Sequence, residues 1–227
     1  MKISGVHHIA FCTNDMKAQL EFFTQVVGMK LIGLFPMHGA PEGTTHSFLE
    51  AGENCYFSFI QFRGANIQPQ IGLTHALDGA SPVAGGAVQH MAFNVDTMDE
   101  LMDLRDRIRS HGYAVVGPLG HGVSQSMYLG APEGILLEFA TSENCEELNG
   151  GKWIEEGSAA EIGATAEDIV RFSAPPAYAG QGGKVPQPDA ATAVYPTPIP
   201  RPMFDAIGRL DDEDLKKAVK FVPEAVD

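Results

Sequence analysis

Two histidines in this sequence have the residue type and the spacing to hold a metal ion. The segment VHHIAF at 6–11 returns as VQHMAF at 88–93, with four identical residues at a constant offset of 82. Such an internal repeat indicates two copies of one structural unit. His8 and His90 occupy equivalent positions in the two copies, which predicts a two-fold site with one imidazole from each half.

The third candidate ligand is Glu138, which lies within the apolar run 135–140. Side chains of a strand alternate between its faces, so Glu138 lies opposite the face that Leu137 and Phe139 share. An unpaired carboxylate is unfavourable in such a strand, and it should meet a cationic group or a metal. Two histidines and one carboxylate make up the facial triad of non-haem Fe(II) oxygenases, which leaves positions open for substrate and O2.

The same alternation places both histidines on the less apolar faces of their strands. His8 and Phe11 lie on opposite faces of the first strand, and His90 and Phe93 lie on opposite faces of its copy. A curved sheet would turn these faces into a cavity. Gln61 ends the matching strand of the first copy, and it is a candidate fourth, neutral ligand or an outer hydrogen-bonding group.

The hydrophobic periodicity predicts an α+β fold made of two βαβββ modules that form a metal-lined cup. We expect the modules at 1–64 and 88–143, joined by a linker at 65–87 that is rich in glycine, alanine and proline. In the first module we predict strands at 6–13, 30–35, 45–50 and 55–62, and a helix at 15–27 that Gly28 ends. In the second we predict strands at 88–95, 113–116, 125–129 and 135–140, and a helix at 97–110.

Residues 144–227 form a long C-terminal extension of irregular and helical character. Short helices are predicted at 165–172, where Thr165 and Asp168 resemble a capping box, and at 202–208 and 212–220. The extension is expected to pack over the domain or over a partner subunit. Given its composition, a disordered tail is the alternative that stays open.

Composition narrows the class of protein. The chain has 227 residues and is 44% hydrophobic, enough for a real core, and it contains no apolar run of membrane-spanning length. A net charge of -14 argues against a nucleic-acid partner. The three cysteines are scattered and there is no signal segment, so we expect a cytoplasmic protein without structural disulfides.

The repeated His-Ile-Ala-Phe and His-Met-Ala-Phe, with Glu138 closing the second copy, resemble the vicinal oxygen chelate superfamily. That group includes glyoxalase I, extradiol ring-cleaving dioxygenases, an epimerase and the fosfomycin and bleomycin resistance proteins. The resemblance covers residues 1 to about 142 and implies paired βαβββ modules around a metal. It leaves the C-terminal extension unexplained.

The segment from His121 to Glu138 is similar to the extradiol dioxygenase signature. The one element that departs from that pattern is Leu119, just before the segment, where the pattern has a smaller or β-branched residue or glycine. The resemblance implies that Glu138 is a metal ligand, that Tyr128 hydrogen-bonds in the active site and that His121 contacts the substrate or a ligand. One departure concerns the stretch 54–58, where the two-domain extradiol enzymes carry a catalytic histidine and this chain has none. The candidate substitutes are Tyr56, His46 and His75. This chain also has one module pair where those enzymes have two.

Three functions compete. The first is an Fe(II) dioxygenase that cleaves a catechol or hydroquinone with O2, in which His121 or Tyr128 moves protons. The second is a glyoxalase- or epimerase-type isomerase or lyase, which Gln61 favours as a fourth ligand but which lacks a carboxylate base opposite Glu138. The third is a protein that binds a ligand without turnover, which the intact His8, His90 and Glu138 set disfavours. Mn, Ni, Co and Zn are alternatives to iron, and a homodimer is expected.

Overall fold

A computed structural model describes residues 3–189, 191–192, 200–207 and 210–218. The chain divides into two units, Lys2–Ser173 and Ala174–Asp227. Both predicted modules lie in the first unit.

The first module has the predicted βαβββ order. It consists of β1 (His8–Cys12), α1 (Met16–Glu21) continued by a π-helical turn (Phe22–Val27), β2 (Lys30–Pro36), β3 (Thr45–Gly52) and β4 (Cys55–Gln61). The strands form one sheet in the order β1-β4-β3-β2, with β1 parallel to β4. Asp15 begins the helix by accepting a hydrogen bond of 3.0 Å from the amide of Ala18. Gly28 ends the helical stretch at a φ of 96°, a conformation that glycine adopts without strain.

The second module repeats this order. It consists of β5 (Met91–Asn94), α2 (Met98–Ser110), β6 (Val116–Gly120), β7 (Gln125–Gly130) and β8 (Leu136–Thr141), with a short 3-10 turn (Pro132–Gly134) before β8. The sheet order β5-β8-β7-β6 matches that of the first module. Thr97 and Glu100 form a capping box at the start of α2.

The strand predicted at 113–116 begins only at Val116, and the preceding residues pack against helices instead. The ring of Tyr113 lies 4.9 Å from that of Phe22 in the first module. Val115 is buried, and its carbonyl accepts a hydrogen bond of 2.9 Å from Arg109. Because these residues contact the helices, β6 starts at Val116 and not at residue 113.

Both modules share one hydrophobic core. Phe57 on β4 and Phe93 on β5 contact each other directly, with ring centroids 5.3 Å apart. Buried residues of both helices join the same cluster, and Arg107 on α2 donates to the carbonyls of Gln25 and Val26. Burial of a phenylalanine contributes about 1.5–3 kcal/mol, so this shared core holds the modules together. Because the inner faces of the sheets meet, their opposite, open faces point away from this core.

Glu133 forms a second link between the modules. It lies in the turn before β8, and its carboxylate accepts hydrogen bonds from the amide of Asn14 at 2.8 Å and from Gln19 at 2.9 Å. The hydroxyl of Thr13 donates to it as well. Burial raises the pKa of Glu133, but these hydrogen bonds outweigh burial and hold the pKa below its ordinary value. The ionised carboxylate is thus the form that joins the turn to the first module.

The described part of the C-terminal extension is helical in four places. α3 (Glu156–Glu161) and α4 (Ala166–Ser173) belong to the first unit, and α5 (Arg201–Ile207) and α6 (Asp212–Ala218) to the second. The predicted capping box of α4 is present, since Thr165 and Asp168 exchange backbone-to-side-chain hydrogen bonds of 3.0 and 3.1 Å. The predicted helix ends at 208 and 219–220 lie outside the described residues. No helix among the described residues has the length and hydropathy to span a membrane.

Candidate metal centre

His90 and Glu138 lie side by side on the open face of the second sheet. Ala92 is paired with Glu138 across β5 and β8, so His90, two residues before Ala92, projects from the same face. His90 Nε2 lies 2.8 Å from a carboxylate oxygen of Glu138, which is only 7% exposed. The carboxylate in the apolar strand therefore has a partner, and two metal donors are adjacent.

Tyr128 and His121 extend this cluster across β7. Tyr128 is paired with Glu138 across β7 and β8, and its hydroxyl lies 3.0 Å from His121 Nε2. Burial raises the pKa of Tyr128, and the charge of Glu138 raises it further. A hydroxyl and an imidazole in hydrogen-bond contact can pass a proton between them.

The open face of the first sheet carries a second histidine cluster. His8 lies on β1, with its ring 5.5 Å from Phe48. His46 on β3 makes a 2.8 Å hydrogen bond between Nε2 and the hydroxyl of Ser58. Burial lowers the pKa of His46, and the neighbouring His8 lowers it further. His7 Nδ1 lies 2.9 Å from His8 Nδ1, at the start of β1.

Gln61 lies away from this face. Its side-chain oxygen accepts a hydrogen bond of 2.9 Å from the amide of Met16, and its amide group donates to the carbonyl of Asn14 at 3.0 Å. These bonds fix the start of α1, on the opposite side of the sheet from His8. The residue that corresponds to Glu138 by strand pairing is Ser58, since Ala10 pairs with Ser58 as Ala92 pairs with Glu138.

The structure brings His90, Glu138, Tyr128 and His121 together, and it places His8 elsewhere. Among the described residues, no group of three or more His, Cys, Asp or Glu side chains is arranged to hold a metal. His8 lies on the open face of one sheet and the His90–Glu138 pair on that of the other. The three candidate ligands of a single chain are therefore divided between two faces.

The sequence did not lead to a prediction that His46 and Ser58 lie beside His8. Strand alternation within the hairpin at 45–61 could have placed both on the face of His8, because Ser58 pairs with Phe48, two residues along β3 from His46. Tyr56 also lies on this face, with its ring 5.4 Å from that of His7. His75 lies in the linker, outside both sheets.

Paired βαβββ modules with histidine and glutamate on open sheet faces define a class of small-molecule-binding proteins that commonly hold divalent metals. The chain belongs to the Glyoxalase/Bleomycin resistance protein/Dioxygenase superfamily, which matches it over residues 5–139. The resemblance that the His-Ile-Ala-Phe repeat predicted is confirmed.

Two kinds of relative are similar to the chain in sequence. Biphenyl-2,3-diol 1,2-dioxygenase 2 from Rhodococcus globerulus is 34% identical over 68 residues, which are 30% of this chain and 35% of that protein. Lactoylglutathione lyase from Neisseria meningitidis serogroup A is 26% identical over 144 residues, which are 62% of this chain and 92% of that enzyme. The match thus spans about a third of the length of the dioxygenase.

Solved structures of the family are more distant. A glyoxylase/bleomycin resistance protein/dioxygenase domain from Frankia sp. EAN1pec is 17% identical, with a TM-score of 0.49, covering 62% of this chain and 99% of that one. The fosfomycin resistance protein FosX from Listeria monocytogenes, solved with Mn(II), is 15% identical, with a TM-score of 0.41, covering 61% and 92%.

Proposed function

We propose that the protein is an Fe(II)-dependent dioxygenase that cleaves the ring of a catechol or hydroquinone. The observation that carries this proposal is the arrangement of side chains on the open face of the second sheet. There the His90–Glu138 pair supplies two metal donors, and the Tyr128–His121 hydrogen bond lies beside it. The similarity of one segment to a biphenyl-diol dioxygenase adds support.

The donor set fits a divalent transition metal. Imidazole nitrogen and carboxylate oxygen suit iron, and equally manganese, cobalt, nickel or zinc. When bound, the metal would supply Lewis-acid chemistry and open coordination positions. His90 and Glu138 would hold it, while Tyr128 and His121 take up and return the proton of a substrate hydroxyl.

We infer that a second copy of the chain completes the donor set, in a homodimer. His8 is the remaining predicted ligand, and it lies on a different open face from His90 and Glu138. In a two-fold dimer, the first sheet of one copy can face the second sheet of the other, which makes two equal sites.

The second sheet offers apolar surface for such a contact. Val116 and Leu119 of the outer strand β6 pair with Tyr128 and Ser126, so they lie on the open face, and both are exposed. Exposed apolar side chains on an open face favour association with another sheet. They therefore support the second copy as the partner.

A lyase of the glyoxalase kind is the second candidate. It is favoured by the lactoylglutathione lyase relative, which the chain matches over 92% of that enzyme's length. Against it, the position equivalent to Glu138 holds Ser58, and Gln61 is bound to backbone groups. The position of the first sheet that corresponds to Glu138 therefore supplies no carboxylate base.

Oxygen uptake tests the proposal. The protein is first loaded with Fe(II) under anaerobic conditions and is then exposed to O2 together with a panel of catechols and hydroquinones, including biphenyl-2,3-diol. It should consume O2 and form a ring-opened chromophore. His90→Ala and Glu138→Ala should abolish uptake, and His111→Ala, which changes an exposed histidine just after α2, should not. Metal binding without uptake, together with lactoylglutathione formation, would favour the lyase. A protein that binds no divalent metal would contradict both enzymes.

A further inference from the structure

A cavity of about 460 Å³ lies between the two modules, beside the open faces but distinct from the Tyr128–His121 pair. Its walls come from the end of β1, the starts of β5 and β8, and the linker. A cavity of this volume falls within the range of small-molecule sites. His90 forms part of its wall, so the cavity borders the proposed metal centre.

The wall is mostly apolar. Its apolar side chains come from both modules and from the linker, and they include Phe11, Ile67, Met91 and Ile135. A flat hydrocarbon ring would replace water against these groups favourably.

The charges of the side chains that line the cavity disfavour an anionic ligand. Neither lysine nor arginine lines the cavity among the described residues. The carboxylate that does line it, that of Glu133, already accepts hydrogen bonds from Asn14 and Gln19. An uncharged ligand therefore fits better than a phosphate or a carboxylate, which would lose hydration without gaining a cation.

His75 presents a polar group to this cavity from the linker. Its amide donates to the carbonyl of Gln70 at 3.2 Å, and its carbonyl accepts from the amide of Gly72 at 2.8 Å. Its ring Nδ1 lies 2.8 Å from the hydroxyl of Thr74. These bonds fix the half-buried imidazole, and because Nε2 makes no hydrogen bond among the described residues, it is the ring nitrogen that remains for a ligand.

We propose that the cavity binds an uncharged aromatic group of one or two rings, with its hydroxyl or carbonyl hydrogen-bonded to Nε2 of His75. Because His90 belongs both to the wall and to the pair with Glu138, this group is the part of the substrate that extends away from the metal. That last assignment rests on the proposed function. His75 then selects substrates that carry a hydroxyl or carbonyl group on this part, and it takes no part in ring cleavage.

The test is a fluorescence titration of the full chain, free of metal, with 2-naphthol as the probe. Binding should be saturable in the unmodified protein and should be lost in Ala10→Trp, which fills the cavity from β1. Ala92→Trp is the matched control, because Ala92 is exposed at the equivalent position of β5 and does not line the cavity. Binding that survives Ala10→Trp, or that is never saturable, would overturn the proposal.

The role of His75 has its own readout. His75→Ala should weaken 2-naphthol binding by about 3- to 10-fold, the loss of one hydrogen bond, and His75→Gln should restore most of it. Naphthalene, which has no hydroxyl, should bind equally to both proteins. An equal loss for naphthalene would assign His75 a merely structural role. Because neither metal nor O2 is present, these results stand apart from the oxygen-uptake test: a protein without dioxygenase activity would still show cavity binding.

Discussion

Tyr128 and His121 lie next to the proposed metal donors His90 and Glu138. Their 3.0 Å contact places an exchangeable proton beside the His90–Glu138 pair. General acid–base groups act through such a hydrogen bond, and they contribute about 10²- to 10⁴-fold to a rate. Their part in catalysis should therefore be separable from metal binding.

Tyr128→Phe keeps the ring and removes the hydroxyl. We expect kcat for oxygen uptake to fall at least about 100-fold, while Fe(II) affinity changes little, because the proton path is lost and the donors remain. Tyr178→Phe, which alters an exposed phenol outside both modules, is the control. Loss of metal in Tyr128→Phe would show that Tyr128 acts on the donors instead.

Gln61 is expected to stabilise the fold and not to bind metal. Gln61→Ala removes hydrogen bonds to two backbone groups at the start of α1, so the free energy of unfolding should fall by about 1–2 kcal/mol. Denaturation in urea measures this loss. A titration with Mn(II) should give the unmodified affinity, and a lower affinity would place Gln61 among the ligands.

Strand alternation predicts which face of its strand each candidate residue occupies. It placed His90 and Glu138 on one face, and the structure shows them in contact. Gln61 was a candidate fourth ligand, although it shares its strand face with Phe57 and Phe59, and in the structure it binds backbone groups on the side of the sheet away from His8. The sequence does not show that Gln61 binds the turn before α1, because that contact depends on how the helix packs.

At the level of elements, the turn before β8 connects the two modules through Glu133. Its carboxylate joins the turn to Asn14 and Gln19, at the boundary between β1 and α1. The pKa of Glu133 is lowered in the fold, so the ionised form stabilises the protein. This contribution is complete above the ordinary carboxyl pKa and is lost as the pH falls through the lowered value.

Glu133→Gln should therefore destabilise the protein in a pH-dependent way. At neutral pH we expect a loss of about 1 kcal/mol, which partial exposure of the carboxylate keeps small. Below the folded-state pKa of Glu133 the variant and the parent should be equally stable. Unfolding in urea at a series of pH values measures the difference. Glu53→Gln, in an exposed turn, is the control, and a pH-independent loss in Glu133→Gln would contradict the electrostatic cause.

Elements were predictable because the repeat supplies the same pattern twice. The βαβββ order, both helix ends and the two sheets follow from alternation, capping residues and Gly28. The relative placement of the modules did not follow, because it depends on contacts such as Phe57 with Phe93 that lie across the linker. That placement separates His8 from His90, which the offset of 82 residues does not reveal.

At the level of the whole molecule, the proposed metal centre combines donors from two open faces. His8 belongs to the first sheet, and His90 with Glu138 to the second. Each face is incomplete within a single chain, and a two-fold dimer would complete both. The proposed metal centre is thus a property of the assembly and not of the chain alone.

Complementation between two defective variants tests this claim most directly. His8→Ala and Glu138→Ala should each lose tight Mn(II) binding, as measured by electron paramagnetic resonance. After the variants are mixed and their subunits exchanged, about a quarter of the parental sites should return, because half of randomly formed dimers are mixed and each carries one intact site of two. A mixture of His90→Ala with Glu138→Ala, both altered on the same sheet, should recover none. If the first mixture also recovers no metal, the site is not shared between copies, and the proposed metal centre is contradicted.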